Sequence, residues 1–364
     1  MRESSLKATK PIHIGPMLSS FQRSPRVLLQ FLVVMTATAT IALNSSAEGT
    51  DAAPPQSGTD PAPVTVTILT TNAADIAPAL ATASPTQGEW SFSAWIEVGD
   101  KAFLFDTGWS PRNVLDNAEA LGIDLSVAED LILSHHHRDH TGGIETLRNE
   151  LSKRNPKALS RIHVAKGFFV SRPGPNGSER NPMLAARQAI EASGATFIVY
   201  EQATEIAPQV WLTGPVPRQH DERNYPQGPK WVMQQDGQTV PDVIPESQSL
   251  VIVAAEGPIL ISGCGHAGLI NTLDYVQSKV SDQSPQAAIG GFHLFAASDE
   301  VLRWTSAAVA ERKLGHFVGS HCTGFESVYQ IREHAHMDRA HALVGAIGTQ
   351  YITGRGIVPG NINR

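Results

Sequence analysis

The amino-acid sequence predicts a single α/β domain in which short strands alternate with helices. Runs rich in β-branched and aromatic residues recur from Val64 onward, which is typical of short strands. Stretches with helical periodicity, such as the one that begins near Pro111 and ends at Gly122, separate several of these runs. The length of 364 residues allows one large domain or two small ones, and the 41% of hydrophobic residues can fill a substantial core.

Residues 1–63 are predicted to lie outside this domain. Arg23 and Arg26 precede an apolar stretch at 27–43, and small residues follow up to Ala47, which is the pattern of a secretory signal peptide over 1–47. An uncleaved N-terminal membrane anchor is the alternative, because the apolar stretch approaches the length of a spanning helix. Residues 48–63 are rich in Pro, Ser, Gly and Asp and predict a flexible tether. We therefore expect export, to a periplasm, with no stable membrane association after cleavage.

The first half of the domain at 64–364 is predicted to contain six strands and three helices. The predicted strands lie at 64–70, 91–98, 102–105, 131–133, 161–164 and 196–200. The predicted helices lie at 111–122, 144–151 and 182–193. This alternation is what an α/β fold requires.

The second half begins with a long irregular segment. Residues 214–246 carry many Pro, Gly, Gln and Asp residues without periodicity, and a segment of this length predicts a lid or a substrate loop. Ser249–Ala254 and Ile259–Ser262 then predict a hairpin around Glu256 and Gly257. From there helix, strand and helix are predicted to alternate to the C-terminus.

The composition excludes several classes of function. With 28 basic and 35 acidic residues the net charge is −7, and no basic run occurs, so a nucleic-acid-binding protein is not expected. Two cysteines are too few for a small disulfide-stapled protein. The sequence contains no Gly-x-Ser-x-Gly nucleophile motif and no phosphate-binding P-loop motif. We therefore expect a small-molecule partner, and the sequence leaves the oligomeric state open.

The clearest chemical signal is the segment from Ser134 to Gly143, which follows a predicted strand directly. His135 and His137 are two residues apart, so in an extended segment their side chains face the same side. Imidazole and carboxylate are the ligands that zinc and similar divalent ions prefer. The two histidines can hold one ion, and Asp139 with His140 can reach a second ion about 3.5–4 Å away. The segment therefore predicts a centre for one or two divalent ions, zinc in the first place, with Mn, Fe and Mg as alternatives.

This motif resembles the signature of a known family. The pattern His135-x-His137-x-Asp139-His140 is similar to that of the metallo-β-lactamase superfamily, and Phe105-Asp106-Thr107-Gly108 resembles its companion motif. The resemblance implies a four-layer αββα sandwich with the metals at one edge, between the two sheets. It also implies that Asp106 orients the ligand loop without binding metal itself. A turn-forming Asp is the alternative for this residue.

Later motifs are similar to one branch of that superfamily, which is named for 7,8-dihydropterin-6-methyl-4-(β-D-ribofuranosyl)aminobenzene 5′-phosphate synthase. They lie at 262–268 with Asn271, at 290–294 and at 321–324, with further agreement at 213–218 and 344–349. The agreement extends from about residue 64 to the end of the chain. One departure concerns the acidic pair that the branch tends to carry before its Gln-x-Leu strand, because here Glu246 is followed by Ser247.

The later motifs add further candidate site residues. His266 and His321 each follow an apolar strand and are predicted metal ligands, with a structural histidine as the alternative. Cys264 lies near the position where the superfamily often has a bridging Asp, so it is either a thiolate ligand or a buried structural residue. A disulfide between Cys264 and Cys322 is a further alternative. His293 is predicted to contact the substrate.

The other histidines are predicted to have supporting or structural roles. His136 should point away from its neighbours into the core. The remaining histidines of the domain are predicted to be satisfied structural residues (His163, His220, His316) or solvated ones (His334, His336, His341).

A metal centre of this kind predicts an enzyme. A bound divalent ion lowers the pKa of water toward about 7 and polarises a carbonyl or phosphoryl oxygen. We therefore predict a metal-dependent hydrolase that acts on a small-molecule ester, lactone, amide or phosphate through metal-bound hydroxide. One alternative is an activity like that of the dihydropterin-ribosylaminobenzene-phosphate synthase branch. The other is a non-catalytic, metal-dependent ligand-binding protein.

Overall fold

The computed structural model describes residues 61–75 and 86–363. The predicted signal peptide at 1–47 and most of the tether at 48–63 lie outside these residues. Among the described residues, no helix combines the length and apolar character that a membrane crossing requires.

The described residues form strands and helices in the order that the sequence predicted over the first half. The strands there are β1 (Val64–Thr70), β2 (Ser93–Val98), β3 (Lys101–Phe105), β4 (Asp130–Ile132), β5 (Arg161–Ala165) and β6 (Thr196–Tyr200). The helices are α1 (Asn113–Ala120), α2 (Arg138–Thr141), α3 (Ile144–Leu151) and α4 (Pro182–Ala192). The boundaries agree with the predicted ones to within a few residues, and α2 is a single short turn that was not predicted.

The second half contains more strands than predicted. Its strands are β7 (Thr204–Ala207), β8 (Val210–Leu212), β9 (Val232–Gln235), β10 (Gln238–Pro241), β11 (Ser249–Ala254), β12 (Gly257–Ser262), β13 (Ala287–Gly290), β14 (His316–Gly319), β15 (Ala342–Val344), β16 (Gln350–Ile352) and β17 (Gly356–Val358). Its helices are α5 (Leu269–Lys279), α6 (Asp299–Glu311) and α7 (Phe325–His334). The prediction of alternating helices to the C-terminus is therefore wrong for the last part, where three strands follow α7.

The segment 214–246 was predicted to have no regular structure, and this is wrong in part because β9 and β10 pair as an antiparallel hairpin. Half of the residues in each strand are polar, and neither strand has the alternation that marks a half-buried strand, so the hydrophobic pattern did not reveal them. Asp236 and Gly237 join them with φ of 50° and 76°. An Asp-Gly pair with both residues in the left-handed region is a frequent hairpin turn, and it was the available signal.

Two sheets carry the fold. The N-terminal sheet has the strand order β17-β16-β1-β2-β3-β4-β5-β6, and the C-terminal sheet has the order β15-β14-β13-β12-β11-β8-β7. From β3 to β6 neighbouring strands of the first sheet are parallel. In the second sheet β12, β13, β14 and β15 are parallel.

Three buried clusters define four layers. The first cluster lies between the sheets, where Ile68 and Phe103 of one sheet pack with Ile252 and Ile289 of the other. The second packs α1, α3 and α4 on the outer face of the N-terminal sheet, and the third packs α5, α6 and α7 on that of the C-terminal sheet. Each sheet thus buries both faces, as layered α/β folds require. The predicted αββα sandwich is confirmed.

Candidate metal centre

Loops that follow parallel strands of both sheets build the site. Asp106 follows β3, the 134–140 segment follows β4, and His266 follows β12. His293 follows β13, and His321 follows β14. The carboxyl ends of parallel strands are the usual position of ligand sites in α/β proteins, because the connecting loops converge there.

The loop after β4 is held tightly against the loop after β3. The backbone N–H and the hydroxyl of Thr107 both donate to the carbonyl oxygen of His140, at 2.7 and 3.0 Å. A side chain at Gly142 would collide with the carbonyl group of Trp109, and one at Gly143 with that of Thr107. The two glycines are therefore required by the close approach of the two loops, and this approach fixes where Asp139 and His140 point.

A first group of donors consists of His135, His137 and His266, whose nitrogen atoms lie within 4.8 Å of one another. The Nε2 atoms of His135 and His266 are 3.2 Å apart, although the two residues are 131 positions apart in sequence. The ring centroids of His135 and His137 are 4.5 Å apart. Three imidazoles in this arrangement are a donor set that suits zinc.

A second group consists of Asp139, His140, Cys264 and His321, again within 4.8 Å. The Nε2 atom of His140 is 3.1 Å from the sulfur of Cys264, and that of His321 is 3.3 Å from Oδ2 of Asp139. Two nitrogens, one sulfur and one carboxylate oxygen converge on one point. The structure thus brings together all six histidine and aspartate residues predicted as ligands, and it adds Cys264 to them.

Asp106 is fully buried and orients the ligands through two contacts. Its Oδ2 atom lies 2.7 Å from Nδ1 of His140 and accepts a hydrogen bond from the hydroxyl of Ser134, also at 2.7 Å. Because the single hydroxyl proton of Ser134 goes to Asp106, its oxygen accepts from Nδ1 of His135 at 2.9 Å. Both imidazoles then carry their proton on Nδ1, and their Nε2 lone pairs face the donor groups. This is the orienting role that the resemblance implied for Asp106.

The residues present fit a divalent cation. Nδ1 of His266 donates to the carbonyl oxygen of Asn224 at 2.5 Å, so Nε2 of His266 carries a lone pair as well. Two unprotonated nitrogens, on His135 and His266, therefore face each other at 3.2 Å, and a cation shared between them removes this repulsion. Nδ1 of His321 is buried without a hydrogen-bond partner, and its Nε2 faces the second donor group, where Oδ2 of Asp139 lies 3.3 Å away.

Burial and crowding tune the charges in the site. Burial, reinforced by the neighbouring imidazoles, holds the pKa values of His135 and His266 well below their usual range and lowers that of His137 to about 3. Neutral imidazole is the form that binds metal. For His321, burial alone would lower the pKa, but Cys322 and Asp139 raise it to about 9. A metal ion that binds here therefore displaces a proton from His321.

The two cysteines are buried and free. Cys264, His293 and Cys322 place donor atoms within 4.8 Å of one another, and the sulfur of Cys322 accepts a hydrogen bond from the backbone N–H of His293 at 3.3 Å. Gly291 lies between them, and a side chain there would contact the Cys322 sulfur at 2.9 Å. Cys264 is thus buried, and its sulfur lies among the donor atoms of the second group.

Three residues of the site have backbone conformations that are unusual for side-chain-bearing residues. The φ angles of Asp106, His293 and His321 are 54°, 48° and 49°. Such conformations cost about 1–3 kcal/mol each and persist where the surroundings enforce them. Each of the three residues follows the carboxyl end of a strand, β3, β13 or β14. Packing of these strands maintains the strained conformations that aim the three side chains.

A buried ion-pair network supports the ligand loop from behind. Nδ1 of His136 is 2.6 Å from Oε1 of Glu246, whose other oxygen accepts from Arg172 at 2.6 Å. Arg172 also donates to Asp242 at 3.0 Å. All four residues are buried, so His136 points away from the donor groups, as predicted. Glu246 therefore has a role in this network, although Ser247 replaces the second acidic residue of the pair that the synthase branch tends to carry.

Comparison with known proteins agrees with this geometry. A sequence profile of the metallo-beta-lactamase superfamily matches residues 91–264. The chain is 29% identical over 275 residues to 7,8-dihydropterin-6-methyl-4-(beta-D-ribofuranosyl)-aminobenzene-5′-phosphate synthase of Methanocaldococcus jannaschii, covering 71% of this chain and 90% of the relative. Residues 91–264 therefore resemble the metallo-beta-lactamase superfamily, and the similarity to the archaeal synthase extends over most of the chain.

Two further matches extend this result. An uncharacterized protein of Methanocaldococcus jannaschii is 28% identical over 254 residues, which is 66% of this chain and 87% of the relative. The crystal structure of a metal-dependent hydrolase of the beta-lactamase superfamily superposes with a TM-score of 0.61 at 24% identity, covering 79% of this chain and 98% of the other. The two proteins therefore share a fold over nearly the full length of that solved structure.

A large cavity opens above the two donor groups. Its volume is about 1320 Å³, and His137, Asp139, Cys264, His293 and His321 form part of its wall. His293, predicted to contact the substrate, therefore faces this cavity. Its Nδ1 atom is buried without a hydrogen-bond partner. The rest of the wall comes largely from loops and includes six aromatic side chains: Trp90, Trp109, Tyr225, Trp231, Phe295 and Trp304.

Sequence reasoning missed several residues that complete the site. The Ser134 hydroxyl and the Asn224 carbonyl fix the histidine tautomers, but neither residue type signals such a role by itself. Arg172 and Glu246 are far apart in sequence, and no motif linked them. The aromatic walls were also missed, since isolated Trp residues in loops carry no periodic signal.

The histidines predicted to be structural do have partners: His163 contacts Asp130 at 2.8 Å and His220 contacts Asp274 at 2.8 Å.

Proposed function

We propose that this protein is a member of the metallo-beta-lactamase superfamily and a metal-dependent hydrolase of a small-molecule ester, lactone, amide or phosphate. The observation that carries the proposal is the position of two adjacent donor groups, three imidazoles in one and Asp, His, Cys and His in the other, in the wall of a cavity of about 1320 Å³. A cavity of this volume accommodates a small organic molecule. We propose one or two divalent ions as the cofactor, with zinc favoured by the imidazole and thiolate donors.

The metal, when bound, supplies an activated water near neutral pH and polarises a carbonyl or phosphoryl oxygen. The chain's own residues hold the donors in position: Asp106 fixes His140, Ser134 fixes His135, and the Asn224 carbonyl fixes His266. His293 lies beside this centre, with its ring centroid 4.7 Å from that of His266, and can contact a substrate in the cavity. These residues thus orient the metal donors and a substrate.

The variant His137→Ala tests the assignment. Removal of one imidazole from the three-histidine group should lower bound metal and turnover together. The measurements are elemental analysis of the purified protein and turnover of a panel of aryl esters, lactones and phosphodiesters with added Zn²⁺ or Mn²⁺. His334→Ala is the matched control, because His334 is exposed on α7. Full metal occupancy in His137→Ala would contradict the ligand assignment.

A second candidate function is favoured by one of the relatives. The archaeal synthase shares 29% identity over 90% of its length with this chain. A synthase-like reaction would join a dihydropterin to a ribosylaminobenzene phosphate in the same cavity. We favour hydrolysis, because export through a signal peptide at 1–47, which we also propose, would separate the domain from cytoplasmic phosphoribosyl precursors. Mass measurement of the mature protein tests that cleavage, and an intact N-terminus would contradict it.

One set of assays separates the candidates. Incubation with a dihydropterin that carries a leaving group on its 6-methyl carbon, together with the ribosylaminobenzene phosphate, should give no coupled product if the hydrolase proposal is right. Mass spectrometry detects that product directly. Tight ligand binding without turnover in either assay would instead support the non-catalytic ligand-binding alternative.

A further inference from the structure

Exposed aromatic surface is concentrated in the cavity above the donor groups. Trp90, Trp109 and Trp304 are 48%, 45% and 42% exposed, and Phe295 is 51% exposed, yet all four line this one cavity. Large exposed apolar side chains that cluster in a concave site are typical of ligand binding. The cavity walls therefore offer planar apolar surfaces to a ligand.

Arg180 and Trp231 form a pair in the same wall. The guanidinium carbon of Arg180 lies 4.6 Å from the centre of the Trp231 ring, and both residues line the cavity. Lys230 places its ammonium group 5.5 Å from the same ring. Stacking on the indole holds the guanidinium flat, which leaves its N–H edge available to a planar or tetrahedral anion.

Arg180 has no carboxylate partner among the residues that the structure describes. Its Nε atom is buried without a hydrogen-bond partner. Two other charged groups of the cavity wall are paired: Arg223 bonds Asp221 at 2.9 Å, and Glu222 accepts from the backbone N–H of Asn271 at 2.7 Å. A buried, unpaired donor on a charged group is costly, and a ligand anion would satisfy it.

We propose that Arg180 and Trp231 form a subsite that binds the anionic group of an aromatic organic anion, such as an aryl phosphate, carboxylate or sulfonate. The guanidinium donates paired hydrogen bonds to the anion, and the neighbouring aromatic walls stack on the ring. This subsite would select substrates for the proposed metal-dependent reaction, and in that sense it depends on the proposed function. Its binding role is independent of the reaction itself.

The test is isothermal titration of the metal-loaded protein with naphthalene-1-sulfonate, a poor metal ligand, and with neutral 1-naphthalenemethanol. Arg180→Gln should weaken sulfonate binding about tenfold or more and leave the neutral ligand within about twofold, since a charge-assisted hydrogen bond is lost. Trp231→Leu should weaken sulfonate binding as well, because the guanidinium loses its support. Inorganic phosphate should compete with the sulfonate in the parent protein and much less in Arg180→Gln.

Arg187→Gln is the matched control. The guanidinium carbon of Arg187 lies 4.5 Å from the centre of the Phe169 ring, but Arg187 is paired with Glu191 at 2.9 Å and does not line the cavity. Its replacement should leave sulfonate affinity unchanged. Equal sulfonate affinity in the parent and Arg180→Gln would overturn the subsite, and so would an equal loss in Arg187→Gln. Because these experiments measure binding, a failed subsite is distinguishable from a failed hydrolase proposal, which the turnover panel tests.

Discussion

Replacement of Asp106 by Asn is expected to weaken metal binding at one donor group and to spare the other. In the parent protein Oδ1 of Asp106 accepts from the backbone N–H of Ser134 at 2.7 Å, while Oδ2 accepts from the Ser134 hydroxyl and from Nδ1 of His140. An Asn side chain can keep the first of these contacts. Its amide group then faces the Nδ1 proton of His140, and two donors oppose each other.

The two donor groups should respond differently. His140 must lose its partner or move its proton to Nε2, and either change weakens the group formed by Asp139, His140, Cys264 and His321. The hydroxyl of Ser134 can turn to accept from the Asn amide and still accept from His135. Loss of a carboxylate that orients a metal-bound histidine typically costs 10–100-fold in affinity, or about 1.4–2.7 kcal/mol.

The assay is competition for Zn²⁺ between the protein and a chromophoric chelator, which resolves two affinities if two ions bind. Asp106→Asn should retain one parent-like affinity and show a second that is 10–100-fold weaker. Asp130→Asn is the matched control, because Asp130 also accepts from a histidine, His163, at 2.8 Å but lies outside both donor groups. Unchanged affinities in Asp106→Asn, or the same loss in Asp130→Asn, would refute the orienting role.

Three further predictions follow from buried charges and thiols. Burial would raise the pKa of Asp130, but His163 and Arg161 lower it to about 2. The ionised Asp130 therefore stabilises the folded protein above the unfolded pKa of about 4, and this stabilisation is lost as the pH falls toward 2. Urea unfolding of Asp130→Asn should show a loss of about 2 kcal/mol at pH 7 that vanishes near pH 2, and a pH-independent loss would contradict this. Cys264→Ser should weaken Zn²⁺ binding more than Mn²⁺ binding, because the thiolate is the softer ligand. In the parent protein Zn²⁺ should protect the Cys264 thiol from alkylation. Equal rates of alkylation with and without metal would argue against ligation by Cys264. Glu246→Gln should lower the free energy of unfolding by about 3 kcal/mol, because Arg172 keeps only Asp242 as a buried carboxylate partner, and a loss below about 1 kcal/mol in urea unfolding would count against the network.

The first-half strands and helices could be predicted because each is encoded locally. β1 coincides with the predicted 64–70, and α3 with the predicted 144–151. β7 and β8 were missed, since they have only four and three residues. The hairpin β9–β10 was missed because half of its strand residues are polar and they do not alternate with apolar ones, so only its Asp-Gly turn carried a signal.

The candidate ligands also divide into those that the local sequence could predict and those that it could not. Spacing alone brought His135, His137, Asp139 and His140 together, because they lie within one short loop. Assignment of His266 and His321 depended on the resemblance to a family, since nothing local links residues so far apart. Their convergence follows from the parallel order β12-β13-β14, which places the ends of these strands side by side.

The sequence by itself determined the alternation of strands and helices, the local cluster of metal-binding side chains and the absence of nucleophile and phosphate-loop motifs. The tertiary structure alone decided which nitrogen of each histidine is free, because that depends on the Asn224 carbonyl, the Ser134 hydroxyl and Asp106 meeting across both sheets. It also decided that Cys264 faces a donor group and that Arg180 stands unpaired beside Trp231. Hydrogen-bond direction and charge pairing depend on three-dimensional distances of about 3 Å, and residue order does not specify such distances between remote segments.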